Sequence, residues 1–519
     1  MTGLAPLLDS RDLVAPLDQN EAELVARELA ADSGLAVYAK SIAARDGRVY
    51  FLGKEGPDKR LCIMGKDLPE AFDGEAKDCP HGLLKICPRT PANAAALRRA
   101  LPFTAPIVLG DRPSIGTGDR LGLATPGHIR AVRGTGIVPV LAQQSMREMS
   151  RTHRSPQEVM DDATWGVFEE GYRDGFGADA DHLKTTGDID ATFAAGFRMF
   201  TVDPGQYVDN AAQTDSTSAL RAKLADLPWA DLETTPEATL SAFAGRTFEA
   251  GIGLDLAFTE EDALRAAAKY GRAIAHTKTL YRHLSGIAEG QPFDLEMSVD
   301  ETDSPTTVHE HFYVAHELDR LGVKVAGLAP RFVGDFEKGI DYKGALDAFE
   351  ASFVRHVKIA KHFGKYKISI HSGSDKFSIY PIAAKHAGPM AHVKTAGTSY
   401  LEALRAVGQV NAALFREILA FAFDRYDEDK ASYHVSAKPE TLPRPEALKD
   451  GELDGILDIN DGRQLLHVTY GSVLTARDEK GAYRFRDRIY KALRENEETH
   501  YDIVAAHLRK HAAPFAVSR

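Results

Sequence analysis

The residues of this chain that could do chemistry gather where apolar, strand-like runs end. Histidines, lysines and carboxylates follow runs such as ADHLKT, FRMFTVD and FDLEMSVDE. Imidazole and carboxylate groups on neighbouring strand ends are suitable ligands for a divalent metal ion. The candidates are His182, Lys184, Asp203, Asp300, Glu301, Arg331, His371, His392, Lys394 and His467.

Each candidate also has a structural interpretation that the sequence leaves open. Asp203 precedes a proline and could begin a turn, and Glu301 could cap the following helix. His371 and His467 lie in apolar surroundings and could be core histidines with satisfied hydrogen bonds. The repeated pattern favours an active site more strongly than any single residue does.

The stretch ISIHSGSDKFSIY, residues 368–380, alternates in the manner of a strand and reaches His371 at its end. We predict that a helix follows with Ser374 as its N-cap. Free backbone N–H groups of Ser372–Lys376, with the Lys376 ammonium, would then bind a carboxylate or phosphate. An ordinary capped helix without a ligand is the alternative.

Eight strand-like runs, each followed by helical or loop sequence, predict an α/β fold built on a (β/α)8, TIM-like barrel. A doubly wound open sheet is the main rival, but only GTGDRLG resembles its glycine fingerprint, and only loosely. PIVLGD, residues 106–111, competes with the first run. The runs are RLGLATP, IVPVLAQ, ADHLKT, FRMFTVD, FDLEMSVDE, VKVAGLAP, YKISIHS and AHVKTAG.

The sequence divides into three regions. Residues 1–105 predict a small α+β domain, with a hairpin at Asp46-Gly47. Residues 106–405 predict the barrel, with a helical insertion at 210–290. Residues 406–519 predict a helical extension that contributes His467 to the site.

Composition narrows the class of protein. The 519 residues include 63 basic and 75 acidic side chains, a net charge of −12, which disfavours nucleic acid and anionic membranes as partners. Three cysteines without a CxxC pair fit a reducing compartment. The N-terminus lacks a signal-like apolar segment, and no run is long enough to span a bilayer. We therefore expect a cytoplasmic enzyme for a small molecule, with a homo-oligomer left open.

Several long blocks resemble the tagaturonate epimerase family. They are GFGADADHLKT, VDETDSPTTVHEHFYVAHELDRLGVKVAGLAPRFVGDFEKGIDY, ISIHSGSDKFSIYP, VKTAGTSYLEALR and GRQLLHVTYG. The resemblance implies a barrel-like, metal-dependent enzyme that interconverts D-tagaturonate and D-fructuronate in hexuronate breakdown.

The resemblance also implies roles for individual residues. A divalent ion, with zinc preferred over manganese or nickel, would be held by Glu301, His371 and His467. Strict alternation in FDLEMSVDE places Glu301 on the apolar side, so its role requires the strand to end or bulge at Asp300. Catalytic candidates are Asp203, Lys184 and Asp300. Substrate-binding candidates are Lys376, Ser374, Lys394, Arg331 and His182.

The two sugars differ at C4, while the ketone is at C2. Because the C4 hydrogen is not alpha to the ketone, we expect retro-aldol cleavage of C3–C4 and re-closure, with Asp203 and Lys184 as acid and base for the C4 hydroxyl. A metal-dependent sugar aldolase or ketose isomerase would use the same groups. A non-catalytic sugar-acid binding protein would not need a metal.

Overall fold

The computed structural model describes residues 3–251 and 253–517. Its N-terminal part contains two helices followed by an antiparallel sheet. The order of the strands in the sheet is β1 (Ala36–Val37), β3 (Arg48–Glu55), β4 (Asp58–Gly65), β6 (Gly82–Cys87) and β5 (Glu75–Cys79), with β2 (Ala43–Arg45) beside β3. Asp46 and Gly47 both have positive φ, which gives the tight turn predicted for this hairpin. Its elements are α1 Leu4–Leu8, α2 Gln19–Ser33, β1 Ala36–Val37, β2 Ala43–Arg45, β3 Arg48–Glu55, β4 Asp58–Gly65, β5 Glu75–Cys79, β6 Gly82–Cys87 and α3 Pro91–Ala100.

Eight parallel strands then close into a barrel, which confirms the predicted (β/α)8 architecture. Almost every barrel-strand residue is buried, as expected for parallel strands covered by helices on the outside. The strands are β7 Ser114–Thr117, β8 Val138–Ser145, β9 Gly177–Leu183, β10 Met199–Val202, β13 Asp294–Ser298, β14 Gly327–Ala329, β15 Lys367–Ile370 and β16 Ala391–Thr395.

Helices cover the barrel and fill the insertion between β10 and β13. The insertion also contains the two-stranded sheet of β11 Thr247–Glu249 and β12 Asp255–Ala257. Thr185, Thr259 and Thr307 begin helices with reciprocal side-chain caps. The helices are α4 Thr125–Val132, α5 Met146–Thr152, α6 Pro156–Glu169, α7 Thr186–Ala195, α8 Thr217–Ala225, α9 Trp229–Leu232, α10 Pro236–Phe243, α11 Glu260–Ala288, α12 Val308–Arg320, α13 Leu346–His362, α14 Tyr380–Ala387 and α15 Thr398–Val410.

A helical C-terminal region packs on one side of the barrel and has its own apolar core with α15. This part agrees with the predicted extension. Its helices are α16 Ala412–Asp429, α17 Asn460–Val468, α18 Tyr470–Thr475, α19 Arg486–Glu495 and α20 Glu497–Ala512. Across residues 3–251 and 253–517, we find no helix with the length and apolarity needed to cross a membrane.

The first barrel strand differs from the prediction. It is SIGT at 114–117, between the two proposed runs PIVLGD and RLGLATP. The carboxylate of Asp119 accepts hydrogen bonds from the N–H groups of Leu121, Gly122 and Ala124, which folds the second run into a turn. Pro126 then lies in the first turn of α4. In the first run, the N–H groups of Leu109 and Gly110 donate hydrogen bonds to the carboxylate of Asp294 and not to a neighbouring strand.

Candidate active site at the carboxyl ends of the barrel strands

A bulge in β9 brings two consecutive side chains into the barrel mouth. The register between β9 and β10 shifts at this point, and His182 has a positive φ of 56°. In a regular strand Asp181 and His182 would face opposite sides. The bulge removes that alternation, so that Asp181 and His182 both line the cavity.

Asp181 and His182 meet His371, which follows β15, as the sequence predicted for a strand-end histidine. The two imidazole rings lie edge to face with centroids 5.4 Å apart. Each of the three side chains offers a ligand atom, and these atoms lie within 4.8 Å of one another. We call Asp181, His182 and His371 the strand-end cluster.

Carboxylates from β13 and the turn after it hold His371 in place. Its Nε2 lies 2.7 Å from Oε1 of Glu296, and its Nδ1 lies 3.2 Å from Oδ1 of Asp300. Ser369 donates a hydrogen bond to the other oxygen of Glu296. Because β13 ends at Ser298, Asp300 is free to turn back toward the barrel and hydrogen-bond Ser298.

Lys394 neutralises the buried carboxylates beneath the cluster. Its Nζ lies 2.7 Å from Asp179, 3.0 Å from Asp181 and 2.8 Å from Glu296. It also donates to Thr201. An ammonium has three hydrogens, so they are already used by the protein. Lys394 therefore balances the charge of the site, and because it also lines the cavity, its role in substrate binding stays a prediction.

These contacts shift the pKa values of the site. Burial opposes charge on His371, but Asp300 and Glu296 raise its pKa to about 10. His182 is likewise buried, and Asp181 and Asp203 raise its pKa to about 9. The pKa of Asp181 falls to about 2 despite its burial, because Lys394 and the two histidines stabilise the carboxylate. The carboxylates around the cluster therefore favour positive charge on its two imidazoles.

A second donor group shares His182. Its Nδ1 lies 3.3 Å from Asp203, and Glu301 completes the group. Lys184 also approaches Asp203, at 3.4 Å, but its side chain is half exposed. Glu301 pairs with Arg147 at 2.9 Å. Glu301 lines a cavity at the barrel mouth. Within residues 3–251 and 253–517, neither Asp203 nor Lys184 is among the lining residues of that cavity or of the one beside it.

Two adjoining cavities open above the cluster. The first includes Asp181, His182, Lys394 and His467, and the second, roomier one includes Glu301 and Arg331. Both are lined by Arg147, Asp300, Lys338, His371, Ser372 and Tyr433. Of the two predicted catalytic carboxylates, Asp203 and Asp300, it is therefore Asp300 that lines both cavities.

His467 reaches the first cavity from α17 and not from a strand. In the part of the chain that the structure describes, His467 belongs neither to the donor group that contains His371 nor to the one that contains Glu301. Burial, with the charges of Arg120 and Lys338 nearby, holds the pKa of His467 well below its usual value. The expected ligand set of Glu301, His371 and His467 is thus divided: His371 joins Asp181 and His182, Glu301 joins the second group, and His467 lies apart.

The segment after His371 differs from the predicted helix N-terminus. Ser372 and Asp375 have positive φ, so residues 372–377 form turns and α14 begins only at Tyr380. Ser374 lines the first cavity, as a substrate-binding residue should.

Lys376 is buried and points elsewhere. It donates to the backbone carbonyls of Glu337, Ile340 and Ser374. Burial lowers its pKa to about 7, against the opposing charge of Asp375. These three hydrogen bonds stabilise a loop, and the expected role of Lys376 in binding an anion stays a prediction.

Two other candidates lie outside the cluster. Arg331 is half-buried and lines the second cavity, which is compatible with substrate binding. His392 lies deeper in the barrel, where its Nδ1 is 2.9 Å from Ser114 Oγ. Burial lowers the pKa of His392 to about 3, consistent with a neutral core histidine.

Sequence reasoning missed several residues of the site. Three of them lie inside buried parallel strands: Asp179, Asp181 and Glu296. A charged side chain is unusual in such a strand, and this could have identified them as site residues from the sequence. Gln143 on β8 also lines the first cavity, and its buried amide has no hydrogen-bond partner among the described residues. No local pattern indicated Arg120, Arg147 or Lys338, because they come from loops and helices.

The strand-end cluster fits a divalent metal ion by its donor chemistry. One carboxylate and two imidazoles are borderline ligands of the kind that zinc and similar ions take. Oδ1 of Asp181 binds Lys394, while Oδ2 faces His182. With Nε2–H of His371 donated to Glu296, Nδ1, which lies 3.2 Å from Asp300, is the nitrogen that would bind a cation in exchange for its proton.

Comparison with known proteins identifies the family of the chain. Residues 38–514 match the family model described as UxaE, tagaturonate epimerase. The tagaturonate/fructuronate epimerase of Thermotoga maritima is 44% identical over 479 residues, covering 92% of this chain and 96% of that protein.

Solved structures of a further relative share the fold. Crystal structures of the fructuronate-tagaturonate epimerase UxaE from Cohnella laeviribosi, one native and one with a single glycerol, superpose with a TM-score of 0.88 at 37% identity. They cover 96% of this chain and 99% of that one. By sequence and by fold, the chain belongs to the tagaturonate epimerase family and is an isomerase.

Proposed function

We propose that this enzyme interconverts D-tagaturonate and D-fructuronate by inverting C4 with the help of a divalent metal ion. The observation that carries the proposal is the strand-end cluster, in which His182 and His371 meet Asp181 in a cavity at the carboxyl ends of the strands. The substrates follow from the family and from the relatives that bear these names.

The chemistry needs no redox partner. The C4 hydroxyl is beta to the C2 ketone, so loss of its proton allows the C3–C4 bond to break. The bond electrons pass to C3, giving an enediolate over C2 and C3, and C4 becomes an aldehyde. Rotation of the aldehyde and re-addition of C3 to its other face restore the bond, and the C4 oxygen regains a proton.

The cluster residues would hold the ion that this cleavage needs. When bound, a divalent ion supplies Lewis acidity toward the C2 and C3 oxygens. Glu296 keeps His371 in one orientation, and Lys394 compensates the buried carboxylates, so the donors are fixed before substrate arrives. We propose zinc first, with manganese and nickel as alternatives.

We assign the proton transfer at the C4 oxygen to Asp300. The Asp300 carboxylate lines both cavities beside His371. Asp203 lines neither cavity and is connected to the first one through its contact with His182. Asp203 is then a positioning residue that orients His182, with Lys184 supporting it. A positioned acid or base contributes about 10²–10⁴-fold in rate.

Proton NMR of D-tagaturonate with metal-loaded enzyme in deuterium oxide tests the proposal. We expect D-fructuronate to form with its C4 hydrogen retained, because that hydrogen never leaves carbon in this route. Solvent deuterium at C4, appearing as fast as the epimer, would contradict the retro-aldol step. Net release of three-carbon fragments would indicate an aldolase. A product with its carbonyl group at another carbon would indicate a ketose isomerase, and unchanged sugar would indicate a binding protein.

A further inference from the structure

Lys338 differs from the other strong cations of the first cavity. Arg120 pairs with Glu148 at 2.8 Å, Arg147 pairs with Glu301, and Lys394 is surrounded by carboxylates. The Lys338 ammonium donates to Ser372 Oγ at 2.6 Å, and no carboxylate of residues 3–251 or 253–517 lies within 4.0 Å of it. Among the described lysines and arginines that line this cavity, it is the one without a carboxylate at ion-pair distance.

The backbone around Lys338 is held from beneath by buried groups. Lys376 donates to the carbonyls of Glu337 and Ile340, on either side of Lys338. Arg463 donates to the Gly339 carbonyl at 2.8 Å. These side chains use their hydrogens on one short loop, so the position of Lys338 is set before any ligand binds.

Lys338 also occupies the junction of the two cavities. It lines both of them, and its partner Ser372 is the residue next to His371. A sugar acid with its reacting carbons at the strand-end cluster would therefore have one end within reach of this ammonium. Gln143, whose buried amide is unpartnered, lines the same first cavity.

We propose that Lys338 binds the C6 carboxylate of the sugar and thereby sets the specificity for hexuronates over neutral ketohexoses. This inference rests on the proposed function for the identity of the ligand. A carboxylate at Lys338 completes the charge balance of the cavity and makes a charge-assisted hydrogen bond, which is about twice as strong as a neutral one.

The anchor has a second consequence for the reaction. When C3–C4 breaks, the aldehyde fragment consists of C4, C5 and C6 and keeps the carboxylate. C4 must turn about the C4–C5 bond before C3 re-adds, and in that interval no covalent bond retains the fragment. Held at Lys338 through C6, it can present its other face without leaving the site.

Three variants test this role. Lys338→Met removes the charge and Lys338→Gln is a second, polar replacement, while Lys361→Met changes an exposed lysine on α13 as a matched control. We compare kcat/KM for D-tagaturonate with that for D-tagatose, its neutral counterpart. Both Lys338 variants should lose about 10–100-fold on the uronate, as for a lost charged hydrogen bond, and about 3-fold or less on D-tagatose.

Product analysis gives a further readout. The Lys338 variants should release dihydroxyacetone and the three-carbon aldehyde acid in a larger ratio to epimer than the wild-type enzyme does. Equal losses on both sugars, or unchanged kinetics on the uronate, would overturn the assignment. The assignment would also be overturned if Arg331→Met lost kcat/KM selectively on the uronate while Lys338→Met kept full activity on it.

Binding separates this inference from the proposed function. Calorimetry compares D-galactonate, which has a carboxylate but no ketone, with galactitol, which has neither. We expect metal-loaded wild-type enzyme to prefer the acid, and Lys338→Met to abolish that preference, even if tagaturonate is not turned over. An undiminished preference in Lys338→Met would refute the anchor and leave the epimerase proposal untouched.

Discussion

Nε2 of His371 lies 2.7 Å from Oε1 of Glu296, and both side chains are buried in the barrel. This contact keeps a hydrogen on Nε2 of His371, so Nδ1 is the nitrogen that would bind a cation in exchange for its proton.

Glu296→Gln should weaken metal binding. Glutamine can still accept a hydrogen bond from His371, but it no longer carries the charge that makes the imidazole more basic. Loss of such a supporting contact typically costs about 10–100-fold in metal affinity. Titration of the metal-free protein with zinc measures it, and an affinity equal to that of the wild type would exclude this role for Glu296.

Metal content should distinguish the strand-end cluster from the ligand set expected by resemblance. Chelator should abolish activity, and a divalent ion should restore it. His182→Ala and His371→Ala should each bind much less metal, because each removes one of three clustered donors. His467→Ala should keep its metal. The opposite result, with metal lost on changing His467 and kept on changing His182, would restore the first assignment.

Asp300→Asn and Asp203→Asn should differ in kind. The first should lower kcat by about 10²–10⁴-fold, since it removes the proposed proton acceptor. The second should have a smaller effect on kcat, because Asp203 acts through the orientation of His182. Steady-state kinetics with metal content measured on each sample make the comparison. A larger kcat loss in Asp203→Asn would reverse the two roles.

Mild acid should destabilise the fold through buried histidines remote from the cluster. Burial lowers the pKa values of His128 and His500 to about 4, against about 6.5 in an unfolded chain. The unfolded chain therefore binds more protons, so the free energy of unfolding falls as pH drops from about 6.5 toward 4.

Thermal melts at pH 7 and pH 5 measure this effect, in a range where most carboxylates stay ionised. The decrease in Tm should be smaller in His128→Gln than in the wild type, because one of the buried histidines with a lowered pKa is gone. A decrease of the same size in both proteins would show that His128 does not contribute.

Local patterns in the sequence determined the barrel and much of its rim. Seven of the eight strand-like runs overlap a barrel strand, because a strand buried on both faces leaves a largely apolar run that ends in a turn. His371 and Asp300 were placed at strand ends for the same reason. The first strand was misplaced, since the three hydrogen bonds to Asp119 that fold RLGLATP into a turn have no signature in a propensity pattern.

The tertiary structure alone decided how these side chains are combined. The bulge that turns both Asp181 and His182 inward depends on the pairing of β9 with β10, and alternation along one strand cannot predict it. Lys376 and Lys338 look alike in sequence, yet the first is used up on three carbonyls and the second faces the cavity. Partners distant in the chain choose between such roles, because an ammonium bonds whichever acceptors the fold places around it.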